Sequence, residues 1–140
     1  MYEGKPLLDV MNDLRGRELA VIMQYMRHHY LVSGPDGVAL AGEFREIAIV
    51  EMKHAEALAE RIDYLGGDPT TKPEPIMGVD ARTLAEMAAA DRDSEADAIA
   101  RYKEAVGLAD AEGDVTTRKL FEDILGDEED HHKTFSDMLG

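Results

Sequence analysis

The chain has 140 residues, with 15 Lys+Arg against 30 Asp+Glu, a net charge of -15 and no Cys. That length supports one domain over residues 1–140 with a core of its own, and 44% hydrophobic with 32% charged residues is a globular balance. The missing Cys excludes disulfides, thiolate metal sites and Cys nucleophiles. The acidic balance argues against a nucleic-acid partner, because phosphate binding needs clustered Lys and Arg, and it favours cations, metal ions first. The segment Met1–Pro6 has no basic stretch leading into an apolar one, and no apolar run approaches the ~20 residues of a membrane span. The expectation is a cytoplasmic protein that engages no membrane.

Ala, Leu, Glu, Met and Arg dominate and strand alternation is rare, so the chain reads as all-α. Turn signals divide it into helices of about 5–33, 37–65, 80–112 and 115–139. Ser33-Gly34-Pro35-Asp36-Gly37 breaks the first from the second. Gly66 is placed to cap the second at its C-terminus, Asp80 to cap the third at its N-terminus and Asp114 to start the fourth. The short first and third connections predict antiparallel hairpins. The middle connection, about 66–79, extends to roughly 45 Å, against roughly 43 Å for a helix of about 29 residues. It can run the length of a bundle and leave the second and third helices parallel, which is the ferritin-like topology.

Each helix carries an apolar seam with alternating three- and four-residue spacing. The seams read Leu7, Met11, Leu14, Glu18, Val21, Tyr25; then Leu40, Phe44, Ile47, Glu51, His54, Leu58; then Leu84, Ala88, Asp91, Glu95, Ala98, Tyr102; and finally Phe121, Ile124, Glu128, His131, Phe135, Met138. All are apolar at their ends and ionisable in the middle. Glu18, Glu51, Glu95 and Glu128 lie near their helix midpoints, so they share a level whichever way the helices run. The spacing repeats, with Glu18 and Glu51, like Glu95 and Glu128, 33 residues apart. His54 and His131 follow Glu51 and Glu128 by three residues and share their faces.

Buried unpaired carboxylates are costly and repel one another. Two divalent cations balance four of them. The pattern is that of di-iron and di-manganese carboxylate bundles, with hard oxygen and imidazole donors that suit iron or manganese and also admit zinc. In that arrangement Glu51 and Glu128 bridge, Glu18 and Glu95 are terminal, and His54 and His131 each bind one metal. Asp91 and Asp127 are candidates to accept a hydrogen bond from a ligand imidazole. Tyr25 and Tyr102 lie on the seam beside the site, as core residues, carboxylate donors or redox groups. Glu129 and His132 repeat the spacing but fall off the seam. His28, His29 and His132 read as surface or interface residues.

Several stretches resemble a bacterioferritin: Glu18-Leu19-Ala20 with Gln24-Tyr25-Met26, Ile47-Ala48-Ile49-Val50-Glu51-Met52-Lys53-His54-Ala55-Glu56, Ala59-Glu60-Arg61-Ile62, Gly66-Gly67-Asp68-Pro69-Thr70-Thr71, and Asp127-Glu128-Glu129-Asp130-His131. The resemblance spans about 7–139. It implies a ferroxidase that binds two iron ions per chain, oxidises Fe(II) with dioxygen or peroxide and stores or detoxifies iron in a shell of many subunits. The ligands it implies are Glu18, Glu51, His54, Glu95, Glu128 and His131, with Tyr25 beside the reacting centre.

Met52 matches the methionine that holds haem b between two subunits, one from each. A second apolar stripe agrees with an outside partner: Leu19, Ile22, Met23, Met26 and Tyr30, joined by Ile49 and Met52. The expected assembly is at least a homodimer. The chain ends at Gly140 just after the fourth helix, without the family's short fifth helix. Val50 stands where some relatives carry an acid for an inner-surface iron, and Glu46 is the nearest substitute. Two other readings stay open: a non-storing di-metal oxidase or peroxidase of rubrerythrin-like type, and a non-enzymatic haem- or metal-binding dimer.

Overall fold

A computed structural model describes residues 1–140. Four helices account for the fold: α1 (Leu7–Leu31), α2 (Gly34–Tyr64), α3 (Leu84–Ala111) and α4 (Val115–Met138). Four boundaries differ from the sequence reading by two to four residues. α1 starts only after Pro6 and ends at Leu31, not near 33. α2 starts three residues earlier than expected, because Pro35 sits in the first turn, where its missing N–H costs nothing, and Asp36 follows at the positive end of the helix dipole. α3 starts at Leu84 and not at 80, because Thr83 forms a reciprocal capping box with Glu86 while Asp80 lies in a turn. Asp114 caps α4 as expected and accepts from the Thr117 N–H. Gly66 follows α2 with φ +85°, a conformation only glycine takes without strain.

The connection between α2 and α3 runs alongside α1 in the same direction. Asn12 donates to the Asp68 carbonyl, Arg15 to the Thr70 carbonyl and Arg27 to the Val79 carbonyl, while Met77 N–H donates to Gln24. At the midpoint Glu74 N–H donates to the Gly16 carbonyl at 3.1 Å. A Cβ at Gly16 would stand 3.2 Å from the Lys72 carbonyl oxygen, so the strand-like segment passes this closely only because residue 16 is glycine. The crossover carries the chain from one end of the bundle to the other. α2 and α3 are therefore parallel, and the two hairpins α1/α2 and α3/α4 pack as the ferritin-like topology requires.

Every seam residue is buried except Leu40, Leu84 and Met138 at the helix ends, which are half-buried. The core is split in two. One apolar cluster gathers Met11, Leu14, Leu58, Tyr102, Phe121 and Ile124, and the other gathers Val21, Tyr25, Phe44, Ile47, Met87 and Phe135. Between them lies a layer of buried ionisable groups. No helix is long and apolar enough to cross a membrane.

Candidate metal centre

The ionisable layer is built from all four helices. Glu18, Glu51, Glu95 and Glu128 are fully buried and His54 and His131 nearly so. These ligand atoms form two overlapping tetrads, Glu18, Glu51, His54 and Glu128, and Glu51, Glu95, Glu128 and His131, with atoms in each lying within 4.8 Å of one another. Glu51 and Glu128 belong to both.

Each of the six side chains has one buried atom without a hydrogen-bond partner: Glu18 Oε2, Glu51 Oε1, His54 Nδ1, Glu95 Oε2, Glu128 Oε1 and His131 Nδ1. Buried polar atoms are rarely left unpaired; of these, Glu95 Oε2 faces Arg17 Nη2, while Glu95 Oε1 lies 3.5 Å from His131 Nδ1. His54 Nδ1 stands 3.1 Å from Glu51 Oε1, and His131 Nδ1 stands 3.2 Å from Glu128 Oε1 and 3.3 Å from Glu51 Oε1. Hard oxygens and imidazole nitrogens in this grouping fit a pair of divalent cations.

The remaining oxygens are held by the protein. Tyr102 donates to Glu18 Oε1 at 2.7 Å, and Tyr25 donates to Glu95 Oε1 at 2.8 Å. Each tyrosine lies 77 residues from its counterpart, as Glu18 does from Glu95 and Glu51 from Glu128. The two halves of the chain are therefore related by a pseudo-twofold, and each tyrosine reaches across to the other half's carboxylate. Tyr25 and Tyr102 are thus buried core residues that also donate to carboxylates.

Asp127 accepts a hydrogen bond from His54 Nε2 at 2.8 Å, which turns Nδ1 inward. Its counterpart beside His131, 77 residues earlier, is Val50, which has no acceptor. Asp91 does not support a ligand imidazole. It pairs with His28 Nδ1 at 2.7 Å, and Gln24 donates to it at 2.8 Å. His28 is completely buried, against the expectation of a surface residue. His29 and His132 are half-buried and stand apart from the ligand groups.

Arg17 was not anticipated. It is 1% exposed, in the middle of the ionisable layer. Nη1 donates to Glu51 Oε2 at 2.7 Å and to Glu128 Oε2, and lies 3.4 Å from Glu18 Oε1. Nη2 donates to the Ser94 carbonyl at 3.1 Å and lies 3.5 Å from Glu95 Oε2. The signal was present in the sequence. Val10, Leu14, Arg17, Val21, Gln24 and His28 continue a three- and four-residue spacing one step from the α1 seam, and all are buried.

Electrostatics follow the geometry. Burial, then Glu51, pushes the Glu18 carboxyl up to about 7, and burial with the neighbouring carboxylates pushes Glu128 well above the usual range. Glu51 goes the other way: burial opposes ionisation, but Arg17 and the two imidazoles hold it well below that range. Burial disfavours charge on His54 and His131, yet their carboxylate neighbours win and raise them to about 11 and about 12.

The chain matches the ferritin-like domain over residues 8–140. It belongs to the ferritin-like family, and within it to the bacterioferritins. The bacterioferritin of Desulfovibrio desulfuricans is 38% identical over 134 residues, 96% of this chain and 74% of that protein. Its solved structure, described by a diiron site in different catalytic states, superposes with TM-score 0.85 at 34% identity and covers 95% of this chain and 77% of that one. A structure of ferritin-like, diiron-carboxylate proteins from Bacillus anthracis gives TM-score 0.90 at 30% identity and covers 96% of this chain and 95% of that one. Rhodobacter capsulatus bacterioferritin, with a metal-free dinuclear site and haem iron, gives 0.83 at 30% identity and covers 95% and 82%.

Proposed function

We propose that this protein is a ferroxidase: it takes two Fe(II) ions as substrate inside the bundle and oxidises them with dioxygen or peroxide, in the service of iron storage or detoxification. The observation that carries this reading is the pair of tetrads that share Glu51 and Glu128, with a buried unpaired atom on each of their six residues. His54 and Glu18 define one ion position, and His131 and Glu95 the other. Asp127 orients His54, while Tyr102 and Tyr25 each hold one oxygen of a terminal carboxylate and leave the other free. Two electrons leave two Fe(II) ions and reduce dioxygen to peroxide, or peroxide to water, with two protons taken up. The bacterioferritin relatives and the diiron site of the D. desulfuricans structure support the assignment.

Met52 belongs to the same reading. It is 49% exposed, as Met23 is to 48% and Tyr30 to 74%. Paired Met52 thioethers from two copies of the chain would hold haem b, which supplies an electron path to the bundle when bound.

The test is Fe(II) mixing with air-saturated buffer, followed by absorbance. Glu51→Ala and His54→Ala each abolish rapid oxidation and leave a folded helical protein. Unchanged rates in both overturn the assignment. A second reading, a non-storing di-metal oxidase, uses the same centre and fits the likeness to the B. anthracis ferritin-like, diiron-carboxylate structure. Iron retained per chain after aerobic loading separates the two: saturation near two ions means no storage, and tens of ions mean a mineral.

A further inference from the structure

The position of Arg17 has a consequence for how the centre fills. A bridging carboxylate uses both oxygens, one on each ion. In this chain Glu51 and Glu128 each have Oε2 engaged by Arg17 Nη1 and only Oε1 free. The guanidinium thus occupies the shared side of both bridging groups. It also brings a fixed positive charge to within 3.5 Å of all four glutamates.

We infer that Arg17 is a built-in cation of the dinuclear centre: it closes the metal-free bundle by occupying Glu51 and Glu128, and two divalent ions bind fully only when the guanidinium withdraws from those oxygens. The inference rests on the dinuclear reading and adds to it a competition between the chain's own cation and its substrate. Four buried carboxylates strongly disfavour the closed bundle unless cations face them, and Arg17, beside the imidazoles of His54 and His131, offsets that cost when no metal is bound. With two divalent ions present, the four carboxylates are already balanced, and the guanidinium becomes an excess charge among cations. The pseudo-twofold makes the arrangement one-sided, because the residue 77 positions after Arg17 is Ser94, whose backbone carbonyl accepts from Nη2.

Beside it lies a narrow cleft between α1, α3 and the crossover segment, lined by Gln24, Glu74, Ser94 and Asp97 and too small to admit a guanidinium as it stands. Glu74 and Asp97 are carboxylates outside the centre, both paired with Arg101. Arg17 Nε has no partner in the metal-free arrangement, so nothing pins that end of the group. Substrate ions are therefore held less tightly than the six ligands alone would hold them.

The test uses Zn(II), which is redox-silent, titrated into chelator-treated protein against a competing chromophoric chelator. Arg17→Gln and Arg17→Met are expected to bind Zn(II) roughly tenfold or more tightly than the wild type, since a neighbouring positive charge has been removed. Both variants are also expected to melt lower than the wild type without metal and to recover on Zn(II) addition. Unchanged or weaker Zn(II) affinity in both variants overturns the inference while leaving the dinuclear reading intact. Absence of Zn(II) binding by wild type and variants alike overturns both.

A wild-type measurement covers the case in which the variants do not fold without metal. The Arg17 guanidinium signals in nitrogen-resolved NMR are expected to show hindered rotation in metal-free protein, then averaging as Zn(II) reaches two equivalents. Signals that stay unchanged through saturation overturn the inference.

Discussion

Glu18→Gln separates the cost of the centre from its use. In the metal-free protein Glu18 is fully buried and its carboxyl is pushed from 4.5 up to about 7, by burial first and then by Glu51. A folded value above the unfolded one means the folded protein disfavours ionised Glu18. The penalty is absent below pH 4.5, grows between 4.5 and 7 and is complete above 7. A shift of that size corresponds to roughly 3 kcal/mol. Glutamine keeps the shape and still accepts from Tyr102 through its amide oxygen, but it cannot ionise. What it gives up is the attraction to Arg17 Nη1 at 3.4 Å and to His54 Nδ1 at 3.7 Å. Chelator-treated Glu18→Gln is therefore expected to be up to about 3 kcal/mol more stable than wild type at pH 8, roughly 10 °C in melting temperature. The gain vanishes at pH 4.5. With Fe(II) or Zn(II) present the order reverses, because one ligand oxygen has been replaced by a poor donor. Thermal unfolding by circular dichroism, with and without metal at both pH values, reads all of these. A metal-free variant no more stable than wild type at pH 8 refutes the reasoning that buried carboxylate repulsion is the main cost of the empty centre.

Metal binding should release protons. His54 and His131, raised to about 11 and about 12 against burial by their carboxylate neighbours, are both charged at pH 7 without metal. They must lose a proton from Nδ1 to bind an ion, and the raised Glu18 and Glu128 carboxyls add to the release, so at least about two protons per chain are expected in weakly buffered solution; no release contradicts the ligand assignment. The same raised values stabilise the metal-free fold fully below about 6.5, and that contribution falls as the pH rises towards 11 to 12. Asp127→Ala removes the acceptor that orients His54 and is expected to weaken metal binding about 10- to 100-fold, whereas Asp91→Asn, which touches His28 rather than a ligand, should lower the melting temperature and leave metal affinity near wild type. Met52→Leu is expected to eliminate any haem absorbance from protein purified as expressed while sparing Fe(II) oxidation; a retained haem spectrum would assign Met52 to packing.

The sequence by itself determined the four helices, the seams and the six candidate ligands. Periodicity along a helix is a local property, and a glutamate at mid-helix on an apolar seam faces the axis under any packing of that seam. The direction of the crossover was also within reach, because its length matches that of a helix and shorter loops would not span the bundle. The partners of the ligands depended on contacts between helices. Asp91 and Asp127 looked equivalent as neighbours of ligand positions, yet one meets His28 on α1 and the other meets His54 on α2. His28 looked like a surface residue because it lies one step off the α1 seam. It is buried because α1 is covered on a second side by α3 and the crossover segment. The same cover buries Arg17. A charged residue on a helix flank is normally solvated; only the four-helix packing brings four carboxylates around that guanidinium and makes it part of the centre.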